Sequence, residues 1–168
     1  MEQVDVTVSY LEMLAPAIRP APVPRDDLSV LHMPSPGVPY YRSLYNAVGK
    51  DFHWLGRRKM SDEALAAILA DPLNVLHVLH IDGEPAGLAE LDQRQPNEIE
   101  LSQFGLMRDF IGKGLGKWFL QWALAKAWSY APNRIWLHTC TLDHPAALPN
   151  YLKAGFVLLK QEVIRREL

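Results

Sequence analysis

The chain has 168 residues, 49% hydrophobic and 21% charged, with a formal net charge of -2. That size and composition predict one soluble globular domain over 1–168 with room for a sizeable core, and they exclude a global charge pull toward nucleic acid or anionic membrane. The single cysteine, Cys140, rules out an intramolecular disulfide, argues against a Cys-based zinc site and points to a reducing cytoplasm.

The N-terminal MEQVDVTVSY is acidic and alternating, unlike a signal peptide, and no apolar run is long enough to span a bilayer. Val4, Val6, Val8 and Tyr10 alternate with polar residues and predict a first strand. Pro16, Pro20, Pro22 and Pro24 then predict an extended surface connection. Pro39 opens a helix that Gly49 ends, and a polar loop runs from Gly49 to Met60. Within that loop, Arg57, Arg58 and Lys59 form a potential basic patch. Ser61, followed by Asp62 and Glu63, starts a second helix that stops near Pro72. Asn74 to Ile81 and Glu84 to Leu91 read as strands joined by an Asp82-Gly83 turn, and Glu98 to Leu106 as a third strand after a polar loop. A glycine-rich turn leads into a helix from Leu115 to about Tyr130. A strand from Arg134 to Cys140, a short helix from Pro145 to Ala154 and a strand from Phe156 to about Ile164 complete the chain. The expected fold class is α/β, a mixed, mostly antiparallel central sheet with flanking helices.

The stretch RDFIGKGLGKW places Gly112, Gly114 and Gly116 at the start of a helix. A Walker A loop would need Ser or Thr after Gly116-Lys117, where Trp118 stands. A Rossmann fingerprint would need GxGxxG and an acidic residue ending the next strand, which ends in His138-Thr139-Cys140. What remains is a strand, a glycine turn and a helix N-terminus. Free amides and the helix dipole there suit a phosphate or pyrophosphate, and a tight turn without ligand is the plain alternative.

Ile111-Gly112-Lys113-Gly114-Leu115-Gly116 resembles motif A, Q/R-x-x-G-x-G/A, of the GNAT acetyltransferase superfamily, with Ile111 replacing the leading Gln or Arg. HPAALPNYLKAGF resembles motif B: Ala147, Tyr151, Gly155 and Phe156 fall in register, and His144 stands where Asn is usual. The resemblance covers at least Glu84 to Phe156. It implies the acyl-CoA N-acyltransferase fold, with acetyl-CoA as co-substrate. The cofactor site it implies comprises Leu106, Met107, Gly112, Lys113, Gly114, Leu115, Gly116, Lys117 and His144. Lys113 and Lys117 would add charge near the phosphates, or are simply solvated.

The resemblance also implies direct attack of a primary amine on the thioester in a ternary complex. Glu100 is the candidate catalytic base and Tyr151 the candidate acid for the leaving thiolate. Glu98 and Glu90 are further base candidates, and a solvated or paired carboxylate is the alternative for each. The amide near Leu106 would polarise the carbonyl where the strand pairing splays, with a bulge expected at Gly105. Cys140 is then a buried core residue, since no covalent nucleophile is required. His77 and His80, three apart on a strand, cannot chelate one metal, and no His, Asp or Glu set has ligand spacing, so no metal is expected. Trp118 and Trp122, four apart on a helix, read as core packing.

The acceptor cleft of this fold is usually lined by the segment between the first two helices and by a two-stranded ending. That puts His53, Trp54 and Glu98 at the substrate, with Asp51, Arg57 and Arg58 nearby. Only one strand fits after Phe156, so the site is expected to be open or completed by a second subunit, as in a homodimer. A small-molecule amine is expected as acceptor ahead of a protein lysine or N-terminal amine, which stays open. The alternatives are a non-catalytic acyl-CoA sensor and a structural domain with no ligand.

Overall fold

The computed structural model describes residues 2–17 and 22–168. In chain order it contains β1 (Gln3–Met13), β2 (Leu28–His32), α1 (Val38–Gly49), α2 (Asp62–Ala70), β3 (Asn74–Ile81), β4 (Glu84–Asp92) and β5 (Glu98–Leu106). Then follow α3 (Leu115–Ser129), β6 (Arg134–Cys140), α4 (Ala147–Lys153) and β7 (Val157–Glu167), with short 3-10 turns at Lys50–Phe52 and Arg108–Phe110.

Local chemistry accounts for most boundaries. The Ser61 hydroxyl accepts the Ala64 amide at 3.1 Å and caps α2, whose first turn carries Asp62 and Glu63. Asp82 and Gly83 both adopt positive φ, the geometry of a tight hairpin between β3 and β4. No helix among the described residues is long and apolar enough to cross a membrane.

The seven strands form one sheet in the order β2-β3-β4-β5-β6-β1-β7, antiparallel except for β5 against β6. β3 is buried at every position because helices cover both faces there. On one face Phe119 and Leu124 of α3 pack with Leu79, Leu91 and Ile135. On the other, Tyr41, Leu44 and Val48 of α1 and Leu65 of α2 pack with Val78 and Leu88. Trp118 is buried in the first core, and Trp122 meets the His77 ring edge-on at 5.0 Å between centroids. Burial, with the charges of His32 and Lys126 nearby, pushes the His77 pKa down to about 4, so this ring packs as a neutral group.

Two expectations need correction. β2 is absent from the sequence reading, because this short, largely exposed edge strand is defined by pairing with β3, from Leu28 against Ile81 to His32 against His77. The second strand of the ending comes from this chain itself: β1 lies between β6 and β7, pairing Tyr10 with both His138 and Lys160. No second subunit is needed to fill that place. The proline-rich connection is irregular where described, and its Ile18 to Ala21 portion, with Pro20, lies outside the described residues.

Buried under α1 is a closed polar knot. Glu90, fully buried, accepts the Tyr41 hydroxyl at 2.5 Å, Arg57 Nη2 at 2.7 Å and Asn74 Nδ2 at 3.0 Å. Arg57 therefore belongs to the interior rather than to a surface patch. Truncating Glu90 strands its buried arginine, and Glu90→Ala should lower the unfolding free energy by about 3–5 kcal/mol. In the same urea titration, Arg108→Ala, which breaks an exposed pair with Asp51, should leave the midpoint nearly unchanged.

Candidate active site

The site begins where two strands part. β5 and β6 pair only at Glu98/Arg134, Ile99/Ile135 and Glu100/Trp136, although β5 runs on to Leu106 and β6 to Cys140. Toward β4 the pairing of β5 continues to Leu106, with one interruption. Glu90 opposes Gln103 and Leu91 opposes Leu101, which leaves Ser102 as an extra residue whose hydroxyl donates to the Glu90 carbonyl at 3.2 Å. A bulge of this kind bends a strand. It sits at Ser102 rather than at the expected Gly105. Gly105 is bare for a different reason: a Cβ there would meet Val48 Cγ1 at 2.6 Å. The Met107 amide donates to the Ala86 carbonyl at 2.8 Å, on the β4 side. By strand alternation the Leu106 amide turns to the opposite side, into the wedge between β5 and β6.

The glycine turn closes one end of the wedge. Gly112 and Gly114 have φ of +82° and +79°, and a Cβ at either would touch nothing within 4 Å. Conformation, not crowding, selects glycine at both positions. Gly114 caps α3 with no side-chain partner, and no acidic residue occupies the first turn. The first amides of α3 thus lack intrahelical acceptors and sit at the positive end of the dipole. They border a cavity of about 360 Å³ whose wall includes Leu106, Gly112, Gly114, Gly116, Lys117 and His144. Its interior is apolar, with Val48, Phe104 and Leu120. Three of the expected cofactor contacts, Met107, Lys113 and Leu115, are not on this wall. The Leu115 side chain is in the core, Met107 packs against the α1–α2 cluster, and the Lys113 ammonium lies 6.0 Å from the Phe110 ring centroid.

The opposite wall is α4. His144 Nδ1 accepts the Ala146 amide at 3.0 Å, the bond an Asn side chain makes to the backbone two residues on. This accounts for histidine at the position where Asn is usual. Asp143 accepts the His144 amide at 3.0 Å and the Thr139 hydroxyl at 2.7 Å, which ties the start of α4 to β6. Tyr151 is 8% exposed, its ring edge-on to Phe104 and Phe156, and its hydroxyl bonds no described residue. Burial first, and then the charge of Asp143, raises its pKa well above the ordinary tyrosine value.

A second cavity, of about 350 Å³, lies between β5, β6, β1 and β7 and the loop after α1. His53, Trp54, Ser102, His138, Cys140 and Arg166 are on its wall. Both cavities include Phe52, Trp54, Phe104, Asp143 and Tyr151. Tyr151 is thus on the wall of both.

The candidate carboxylates separate by position. Glu100 lines neither cavity, but its Oε2 is 3.9 Å from Nε2 of His138, which is on the wall of the second. Burial, and then the charge of Asp92, pushes the Glu100 pKa up to about 7, while burial and the Arg166 guanidinium lower that of His138. Glu98 sits at the far end of β5, 3.4 Å from Arg134, which also reaches Glu12 at 3.5 Å; it borders neither cavity. Glu90 is enclosed in its knot, away from both. Asp51 accepts Arg108 Nε at 2.8 Å, and Arg58 is exposed. Cys140 is half-buried on the cavity wall, not in the core. Phe52, Asp143, Asn150, His138 and Arg166 line the cavities without having been singled out as contacts. Only the helix spacing of Asn150, next to Tyr151, was open to sequence reasoning. Among the described residues no cluster of three or more His, Cys, Asp or Glu is placed to hold a metal ion.

The model of the Acetyltransferase (GNAT) family matches residues 41–156. An uncharacterized N-acetyltransferase of Lactobacillus delbrueckii subsp. lactis is 28% identical over 87 residues, which cover 48% of this chain and 50% of that protein. The chain thus matches about half the length of that relative. A GCN5-related N-acetyltransferase from Kribbella flavida superposes with a TM-score of 0.66 at 14% identity, over 97% of this chain and 58% of that one. An aminoglycoside acetyltransferase from an uncultured soil metagenomic sample gives 0.62 at 12% identity, over 77% of this chain and 88% of that one. At such identities the likeness bears on the fold, which is that of the GNAT acyltransferases. The family match spans well over half the residues, both glycine turn and α4 included, and the chain belongs to the GNAT family of acetyltransferases.

Proposed function

We propose that this chain, as a single domain, transfers an acetyl group from acetyl-CoA to a primary amine of a small molecule, by direct attack in a ternary complex. The observation that carries the reading is that two cavities share the wall holding Tyr151, whose hydroxyl bonds no described residue. The first cavity suits a pyrophosphate at the α3 amides and Lys117, with an apolar slot behind it for the pantetheine arm. The second cavity, at about 350 Å³, suits a small acceptor. A solved neighbour described as an aminoglycoside acetyltransferase supports a small-molecule class. The lone Cys140 supports a reducing, cytoplasmic setting. A homodimer is compatible with the free edge of β7, where Val157 and Val163 are exposed.

In this reading the amine nitrogen attacks the thioester carbonyl carbon, and the Leu106 amide stabilises the oxygen as it gains charge. Glu100 takes the amine proton, through His138 or an intervening water, because its carboxylate stands behind that ring. The carbon–sulfur bond breaks and Tyr151 donates its proton to the departing sulfur. The burial that keeps Tyr151 protonated also makes its anion costly beside Asp143, so that proton is replaced promptly through the open cleft.

With acetyl-CoA and a panel of amines, free thiol release should depend on the amine. Tyr151→Phe and Glu100→Gln should each lower kcat by about 10²–10⁴-fold, with acetyl-CoA binding retained. Binding with no turnover of any amine would instead identify a sensor. The parent kcat/KM should rise with pH through a limb near 7, as Glu100, whose pKa is pushed up to about 7, loses its proton. Glu100→Gln should remove that limb and leave only the rise due to the amine itself. An unchanged limb in the variant would exclude Glu100 as the base.

A further inference from the structure

Among the described residues, Arg166 is a charged side chain of the second cavity that has no ion-pair partner. Every other described arginine except the exposed Arg58 stands in ion-pair contact with a carboxylate. Arg166 is half-buried and makes two contacts, Nη2 to the His53 carbonyl at 2.6 Å and Nη1 to Cys140 Sγ at 3.8 Å. Neither contact neutralises it. A guanidinium has five N–H donors, so at least three remain for a ligand. The backbone bond holds the group in place, since β7 pairs Arg166 with Val4 while His53 belongs to the loop after α1. Its charge is felt at His138 on the same cavity wall, whose pKa burial and then this guanidinium lower.

The cavity is electrically polarised. Its carboxylate, Asp143, lies on the wall shared with the first cavity, beside Tyr151. Asp143 is already held by Thr139 and the His144 amide. Arg166 belongs to the second cavity alone. A molecule matching this arrangement presents an amine to the shared wall and an anion to Arg166. A polycationic amine would set a positive charge against an unneutralised guanidinium in a half-enclosed space.

We infer that Arg166 is the subsite for an anionic oxygen group on the acetyl acceptor, so that the acceptor is an amine carrying a carboxylate or a phosphate. The inference rests on the acetyl transfer proposed above and names the substrate class for the same site. The guanidinium fork matches either anion, and charge-assisted bonds of this type discriminate by about ten- to a hundredfold.

The test compares matched acceptors with the intact chain. L-amino acids are set against their own carboxamides, and phosphoethanolamine against ethanolamine, each with acetyl-CoA and a thiol-release readout. The parent should favour the anionic member of at least one pair by tenfold or more in kcat/KM, and the stronger preference identifies carboxylate or phosphate. Arg166→Gln should abolish the preference, raising KM for the anionic acceptor at least tenfold more than KM for its neutral partner. Arg166→Lys should restore part of it. A purely structural arginine, tying β7 to the loop, would instead weaken both members alike when replaced. Equal turnover of both members in the parent, or a preference that survives Arg166→Gln, overturns the anion subsite and leaves acetyl transfer standing. No turnover of any amine overturns both.

Discussion

The architecture depends on the parting of two parallel strands. After Glu100 and Trp136, β5 and β6 stop sharing hydrogen bonds, yet each continues for several residues. Backbone groups facing such a gap have no strand partner, and buried polar groups without partners are costly. A ligand with its own amides and carbonyls is one way to satisfy them. The Ser102 bulge and the close approach of bare Gly105 to Val48 shape β5 along this gap. The glycine turn then delivers α3 to the end of it with its first amides exposed. In the proposed function, strand geometry rather than any single side chain sets where the cofactor fits.

Side-chain charge is distributed accordingly. Glu90 and Arg57 form a neutral, closed knot under α1 that supports the loop after α1 and takes no part in the cleft. Glu100, one strand over, is buried without a comparable partner, and its proton affinity rises toward neutrality for that reason. Tyr151 is held by aromatic edges alone, so its hydroxyl is free. Groups left in such surroundings are costly to a fold and are candidates for a functional role.

Much of this was legible in the sequence. Alternation, caps and turns located six of the seven strands and all four α-helices to within a few residues. The glycine turn was legible because positive φ at Gly112 and Gly114 leaves a direct residue-level trace. What the sequence hid was set by pairing between distant segments. β2 has meaning only against β3. β1 reaches the wall of the second cavity because it inserts between β6 and β7, a placement no local pattern encodes. Glu98 and Glu100 look equivalent two residues apart. The register of β6 gives one to Arg134 and the other to His138. Arg166, near the end of the chain, reaches the cleft only through the pairing of β7 with β1.

The central claim is that the wedge and its glycine turn hold acetyl-CoA. Calorimetric titration of the purified protein with acetyl-CoA tests it most directly, beside a Gly114→Asp variant shown to be folded by its circular dichroism. An aspartate there strains the left-handed turn and sets a negative charge at the helix N-terminus. The account predicts micromolar binding by the parent and its loss in the variant. A folded parent that binds no acetyl-CoA, or a variant that binds as tightly as the parent, would contradict it.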